Sequence, residues 1–320
     1  MNRAGVRVSS PTESVNARTV DIDIVSTLEL VRMINNEDRL VADAVAAVLP
    51  TLARLVDDAA ARVAAGGRVH YFGAGTSGRL GVLDAAELLP TFGWSDDVVV
   101  AHQAGGPAAF LSAVEDAEDD DGGADTAEIT GDDVVIGLAA SGRTPYVGAA
   151  LSAAREAGAA TALVTANPDA SLAPLAEYVL VVATGPEALT GSTRLKAGTA
   201  QKLVLNTFST ALAVRLGRTY QNLMVDMRAT NAKLRGRVIE LLIQATGLDD
   251  DECAAALDRC DGELKVALVH LLGGRMATPR QARDALAASD GRVRDALAAL
   301  GVDAAGDPAE AEAPRVDTVP

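Results

Sequence analysis

Two short strings in this chain of 320 residues combine hydroxyls, glycines and an arginine in a way that suits a phosphate. The first, Gly73-Ala74-Gly75-Thr76-Ser77-Gly78-Arg79, follows a β-branched, aromatic run and opens a helical segment. The second, Ala140-Ser141-Gly142-Arg143-Thr144-Pro145, repeats the Ser-Gly-Arg triplet at the end of another such run. Serine and threonine hydroxyls, with free backbone N–H groups at the positive end of a helix, hold a compact dianion. Pro145 fits a first helical turn, where its missing N–H costs nothing. Ser77, Ser141 and Thr144 are the expected contacts, with Thr76 beside them. Arg79, Arg143, Arg194 and Lys196 would add the positive potential that a phosphate needs in an acidic chain. Glycines that merely permit a tight turn are the lesser, competing reading for one such loop, and the echo at a second strand tip weakens it further in favour of a ligand.

The first string also satisfies G-x-G-x-x-G, so a dinucleotide site competes. That site needs an acid about 20 residues on, at the end of the second strand, to hold a ribose hydroxyl. Here the second strand ends in Ala101-His102-Gln103, and Asp96 and Asp97 fall at its opposite end. No G-x-x-x-x-G-K-[ST] occurs, which excludes a nucleotide triphosphate loop of that type.

The elements that must position these loops are readable. Five buried-type runs, Val69 to Phe72, Val98 to Ala101, Val134 to Leu138, Ala160 to Val164 and Tyr178 to Val182, alternate with Ala-rich helical segments. The pattern predicts an α/β fold: a five-stranded parallel sheet flanked by helices on both faces, a flavodoxin-like three-layer sandwich. Ligands of such sheets sit at the carboxyl ends of the strands. Residues 1–20 read as an extended segment. Ser26-Thr27-Leu28-Glu29 forms a capping box, and a second helix runs from about Asp38 to Ala64 before Gly66-Gly67. A helical region from about Thr193 to Ala245 breaks near Gly217 and again near Asn222 to Asp226. Short helices follow at Asp249 to Arg259, Glu263 to Leu272, Pro279 to Ala287 and Val293 to Leu300. The expected domains are therefore 21–246, carrying the sheet, and a small helical unit at 247–301, with a disordered tail at 302–320.

Composition narrows the function. With 28 Lys+Arg against 44 Asp+Glu, the net charge is −16, which argues against nucleic acid as a partner. Apolar residues make up 49%, enough for a packed core. No apolar run approaches membrane-spanning length and no signal-like core opens the chain, so a soluble, cytoplasmic protein without membrane partners is expected. From Leu80 through Gly142 there are 14 acids and no Lys or Arg; Asp119-Asp120-Asp121 read as a solvated loop. Cys253 and Cys260, seven apart, fall on one helix face and imply neither a disulfide framework nor a zinc site. His70 and His270 read as packing residues, and His102, ending the second strand, as a loop residue or one that approaches a ligand. The three are too scattered for a metal.

Longer strings carry a resemblance. Tyr71 through Glu87, followed by Pro90-Thr91-Phe92-Gly93, resembles the signature of the N-acetylmuramic acid 6-phosphate etherases, a family within the sugar isomerase (SIS) domains. Further strings agree: Thr12-Glu13 through Asn35-Asn36-Glu37-Asp38, Ala113 to Asp119, Ala139 to Tyr146, Thr190 to Lys202, and Asn222 to Asp226 with Ala229-Thr230-Asn231. The similarity runs from about residue 12 to 300, and the C-terminal helices resemble that family's ubiquitin-associated-like piece. Leu88-Leu89 and the Asp-rich loop after Glu118 depart from the pattern without touching an assigned residue.

The resemblance implies a sugar-phosphate substrate, cleavage of its D-lactyl ether, no cofactor, and a homodimer with the site near the subunit boundary. It also implies the catalytic pair, Glu87 as proton donor and Glu118 as base. An ether at C3 becomes a leaving group when the sugar ring opens, because it then lies β to the C1 aldehyde. Removal of the C2 proton expels lactate, and water adds back. One base and one acid near the same two carbons meet this need. Glu87 is expected about two turns into the helix that starts at Thr76-Ser77-Gly78, and Glu118 at the end of a helix that begins near Pro107. Glu115, one turn before it, is the decoy. Ala197, Gly198 and Ala200 are small enough to allow close helix packing at a subunit boundary. Two other readings compete: a regulatory protein that binds sugar phosphates without turnover, and an aldose–ketose phosphate isomerase, which needs a C2 base but no acid at C3.

Overall fold

A computed structural model describes residues 10–95, 97–112, 114, 116–120, 124–227, 232–274 and 277–302. The chain separates into two compact units, Met1–Pro90 with Trp94–Arg215 and Thr91–Gly93 with Leu216–Pro320.

The first unit is built on a parallel sheet of β1 (Val69–Gly73), β2 (Val99–Gln103), β3 (Val134–Leu138), β4 (Ala160–Thr165) and β5 (Tyr178–Val181), in the spatial order β2-β1-β3-β4-β5. Every residue of β1, β3 and β4 is buried, as a sheet covered on both faces requires. Alternation sends neighbouring side chains to opposite layers. Tyr71 donates to Asp84 of α4 (Gly75–Phe92) and meets Phe208 of α6 (Lys196–Arg215) edge-on. Phe72 packs with Tyr146, Val147 and Leu151 of α5 (Pro145–Ala157) on the other side. The strands thus lie within two residues of the runs read from sequence.

Ahead of the sheet stand α1 (Thr27–Asp38), α2 (Leu40–Ala46) and α3 (Leu49–Ala64). Ser26 caps α1 by accepting the Glu29 N–H. The single helix expected over 38–64 is divided, because Pro50 lacks the N–H that would continue the ladder and sits instead in the first turn of α3. Residues 10–20 are folded rather than extended: Pro11–Glu13 forms a 3-10 turn, and the Thr19 hydroxyl donates to the Ala188 carbonyl at 2.8 Å. α6 begins at Lys196, where the Glu187 carboxylate accepts the N–H groups of Lys196 and Ala197 at 2.9 and 3.0 Å. Ala197, Gly198 and Ala200 are buried within the unit, and a Cβ on Gly198 would stand 3.5 Å from Thr76 of α4.

The second unit opens with a hairpin, β6 (Thr219–Tyr220) and β7 (Leu223–Met224), where sequence suggested only a helix break. It continues through α7 (Ala232–Thr246), α8 (Asp250–Arg259), α9 (Leu264–Gly273), α10 (Pro279–Ala288) and α11 (Val293–Ala299). Val238 and Leu242 of α7 share a core with Leu257, Leu268 and Leu297, so by packing the unit starts at Leu216, not after residue 246. Cys253 and Cys260 are free and buried in that core, Cys260 as the C-cap of α8. His270 Nδ1 lies 2.5 Å from the Ala277 carbonyl, tying α9 to the segment before α10. Residues 303–320, expected to be a disordered tail, lie outside the described residues. Among the described residues, no helix is long and apolar enough to cross a membrane.

Candidate functional site

In this strand order the direction of winding reverses between β1 and β3, and that switch point is where the loops leaving two adjacent strands open a crevice. Gly73 pairs with both Leu138 and Gln103, so β1, β3 and β2 end level with one another. The two hydroxyl-rich strings leave β1 and β3, and the segment carrying Glu118 leaves β2.

Glycine makes the first turn possible. A Cβ on Gly73 would lie 2.7 Å from the Gly78 nitrogen, and one on Gly78 would lie 2.4 Å from the Gly73 carbonyl, so strand end and helix start touch backbone to backbone. Thr76 and Ser77 fall in the first turn of α4, both half-buried. In the second turn Gly142 has φ +67°, and a Cβ there would stand 2.2 Å from that of Ala170. The Ser141 carbonyl accepts from Asn167 Nδ2 at 2.9 Å. Thr144 is the N-cap of α5 with no side-chain capping bond, and Pro145 occupies the first turn, as expected.

A cavity of about 200 Å³ lies beside the first turn, walled by Gly75, Arg79, Gln103, Ala109, Asp116 and Glu118. Glu118 belongs to a 3-10 turn, Ala117–Asp119, and does not close a helix from Pro107, since Pro107–Phe110 is a separate 3-10 turn. Arg79 is committed to holding this segment. Its Nε donates to the carbonyls of Ala109 and Phe110 at 3.0 and 3.2 Å, and its Nη2 to that of Ser112 at 3.2 Å. Of the residues singled out in the sequence, the cavity unites Arg79 and Glu118. Thr76, Ser77, Ser141, Thr144 and Glu87 do not line it. Glu87 is exposed on α4, twelve residues after Gly75. Glu115 lies outside the described residues. Lys196, expected to add potential, is fully buried with its Nζ 2.6 Å from Glu37 Oε2, so its charge is matched inside the fold. Arg194 is exposed.

Sequence reading missed a polar line beneath β2. His102 is the fourth residue of that strand rather than a loop residue, stacks on Phe72 at 4.1 Å between ring centroids, and has Nε2 3.0 Å from His70 Nδ1. His70 Nε2 in turn lies 3.7 Å from Asp133 Oδ2. Burial, followed by the proximity of His70, pushes His102 down to about 4, so the pair is neutral at neutral pH. His102 and Gln103 also line a neighbouring cavity of about 250 Å³ with Tyr146 and Asp125. The only signal for it was two histidines on adjacent strands, whose pairing needs the β1–β2 register. Among the described residues, no group of three or more His, Cys, Asp or Glu could hold a metal ion.

Comparison with known proteins places these features among relatives. The profile described as glucokinase regulatory protein N-terminal SIS domain matches residues 51–155, and that of the SIS domain matches residues 108–211. An N-acetylmuramic acid 6-phosphate etherase of Thermobifida fusca is 58% identical over 267 residues, covering 83% of this chain and 88% of its own. Those of Pectobacterium atrosepticum and Salmonella typhi are each 51% identical over 289 residues, covering 89% of this chain and 95% and 97% of theirs. Among solved structures, a phosphoheptose isomerase from Francisella tularensis aligns with 59% of this chain and 100% of its own, at 15% identity and a TM-score of 0.48.

Proposed function

Because the chain belongs to the N-acetylmuramic acid 6-phosphate etherase family, we propose that it cleaves the D-lactyl ether of N-acetylmuramic acid 6-phosphate with water. The products are N-acetylglucosamine 6-phosphate and D-lactate, a step of cell-wall amino-sugar recycling, and the enzyme is a carbon–oxygen lyase that works in the cytoplasm as a homodimer. The observation that carries the reading is the 58% identity over 83% of the chain, a span that includes the whole sheet and its loops. The placement of Glu118 beside the β1 turn supports it from the structure.

In the open-chain sugar, Glu118 takes the C2 proton. The electron pair forms the C2–C3 double bond, the C3–O bond breaks, and Glu87 gives its proton to the departing lactate oxygen. Water then adds its hydroxyl at C3 and a proton returns to C2, so the sum is one ether and one water converted to an alcohol and lactic acid. Thr76, Ser77, Ser141 and Thr144 hold the 6-phosphate at the ends of β1 and β3, where α4 and α5 begin. Incubation with N-acetylmuramic acid 6-phosphate and an assay for free D-lactate tests the proposal. Stoichiometric release of lactate with N-acetylglucosamine 6-phosphate is expected. Binding without release would instead favour a sugar-phosphate sensor, and aldose–ketose interconversion without lactate would favour an isomerase.

A further inference from the structure

The stretch that leads from β2 to Glu118 is tied down by a single side chain. Among the described residues, the hydrogen bonds that link Pro107 to Ser112 with another element are those that Arg79 donates to the carbonyls of Ala109, Phe110 and Ser112 at 3.0, 3.2 and 3.2 Å. The remaining bonds of this stretch are local, from the Ser112 hydroxyl to the Ala108 carbonyl and from the Ala109 N–H to that of Gly106. Leu111 is 97% exposed, so apolar packing does not hold the stretch there. Glu118 follows six residues after Ser112, in a turn entered through Asp116, a non-glycine residue at φ +61°. Such a backbone persists only where its surroundings hold it. Ala117 supplies one hold by packing on the cluster of Phe72, Ala104 and Tyr146, and Arg79 supplies the other.

Arg79 is itself fixed in place. It is the fifth residue of α4 and follows Gly78, whose backbone touches that of Gly73 at the end of β1. One turn further on, the Asp84 carboxylate accepts from Tyr71 at 3.1 Å, Asn206 at 2.7 Å and Ser209 at 3.1 Å, which pins α4 to β1 and α6. Thr76 and Ser77 lie in the same first turn, and Arg79 shares the cavity wall with Glu118. Given the etherase reading, with Glu118 as the base at C2, we propose that Arg79 is a positioning residue that fastens the Glu118 segment to the start of α4. One helix start then sets both the grip on the 6-phosphate and the distance from that grip to the base. The guanidinium fork suits carbonyls that lie in several directions, whereas a phosphate accepts lysine as a point charge, so the two roles respond differently to substitution.

Arg79→Ala and Arg79→Lys test the assignment through three readouts: kcat and KM for D-lactate release, exchange of the C2 hydrogen of N-acetylglucosamine 6-phosphate in deuterated water, and calorimetric affinity for that sugar phosphate. Displacing a base by about 1 Å costs on the order of 10²-fold in rate. In Arg79→Ala, kcat and exchange are therefore expected to fall together by about 10²-fold, with KM and product affinity within about threefold of the parent. Arg79→Lys is expected to stay within about tenfold of Arg79→Ala in kcat, because an ammonium cannot span the three carbonyls. Parent-like kcat in Arg79→Ala overturns the assignment. So does a loss of product affinity of tenfold or more that Arg79→Lys restores, since that is the signature of a phosphate ligand. Loss of affinity in both variants also overturns it, by showing a general structural role. Absence of both lactate release and C2 exchange from the parent overturns the etherase reading and the assignment together, whereas an active parent with an unaffected Arg79→Ala overturns the assignment alone.

Discussion

At the scale of single residues, the two glutamates differ in what each does before and after the C–O bond breaks, and that difference is measurable. The C2 proton leaves before or with the lactate, so exchange of C2–H with solvent reports the base alone. A Glu87→Gln variant is expected to lose lactate release by a factor of about 10²–10⁴ while still exchanging C2–H, and Glu118→Gln to lose both. Proton NMR in deuterated water follows the exchange. Parent-like exchange in Glu118→Gln would remove it as the base, and parent-like lactate release in Glu87→Gln would remove that acid. The residue types were legible in sequence, but their occupations were legible only in part. Arg79 reads as a cation for phosphate, yet its guanidinium is spent on three backbone carbonyls of the segment that carries Glu118. Lys196 reads the same way, yet it answers Glu37 in the interior. A cation shows in a sequence; the acceptor it meets across many residues does not.

At the scale of elements, sequence reading worked where the determinant is local. Strands, caps and the turn glycines follow from runs of buried-type residues, from Ser26, Pro145 and from the glycines at the strand ends. It failed where packing decides. The run Val41, Val45, Val48, Leu52 and Leu55 keeps a helical period through the break between α2 and α3, so periodicity hides what Pro50 enforces. α7 likewise follows α6 in the helical pattern but buries its apolar face with α8 to α11. The glycine turns allow a graded test. Gly142→Ala must place a side chain at φ +67° and against Ala170 at 2.2 Å, whereas Gly158, at φ +85°, has nothing nearer than Gly131 Cα at 3.8 Å. Urea denaturation is expected to show Gly158→Ala costing about 1 kcal/mol, from backbone strain alone, and Gly142→Ala costing about 2–4 kcal/mol, with clash added. Equal losses would mean that the Ser141 loop yields to the added methyl and is not fixed by its contact with Ala170.

At the scale of the whole molecule, two buried polar groupings tie distant parts of the first unit together and set how its stability varies with pH. Glu37 accepts from Arg18 at 2.8 Å and from Lys196 at 2.6 Å, joining the N-terminal segment, α1 and α6. The Arg18 hydrogen bond leads in holding its carboxyl down at about 2. A carboxylate whose folded value lies below its unfolded one adds stability above the unfolded value and loses it as pH falls toward the folded value. The Glu37 contribution is therefore complete above about 4.5 and fades toward 2. Histidine works higher. His102 is held at about 4 against 6.5, so between these values the unfolded chain binds the proton and the folded one does not, and stability again falls as pH falls. His70 acts in the same direction, also through burial. Asp84 and Glu187, raised by burial, oppose the trend in the acid range, so the comparison that isolates each group is variant against parent. Replacing His102 by Leu is expected to flatten the decline between pH 6.5 and 4 by on the order of 1–3 kcal/mol. Glu37→Gln should be destabilised at pH 7, where it leaves Lys196 buried with its ion pair broken, and should approach the parent near pH 2. Denaturant midpoints taken across pH 2 to 8 measure both effects. A His102→Leu curve parallel to the parent's would mean that the histidine is reached by water in the folded protein and that the line from Asp133 through His70 to His102 is open to solvent.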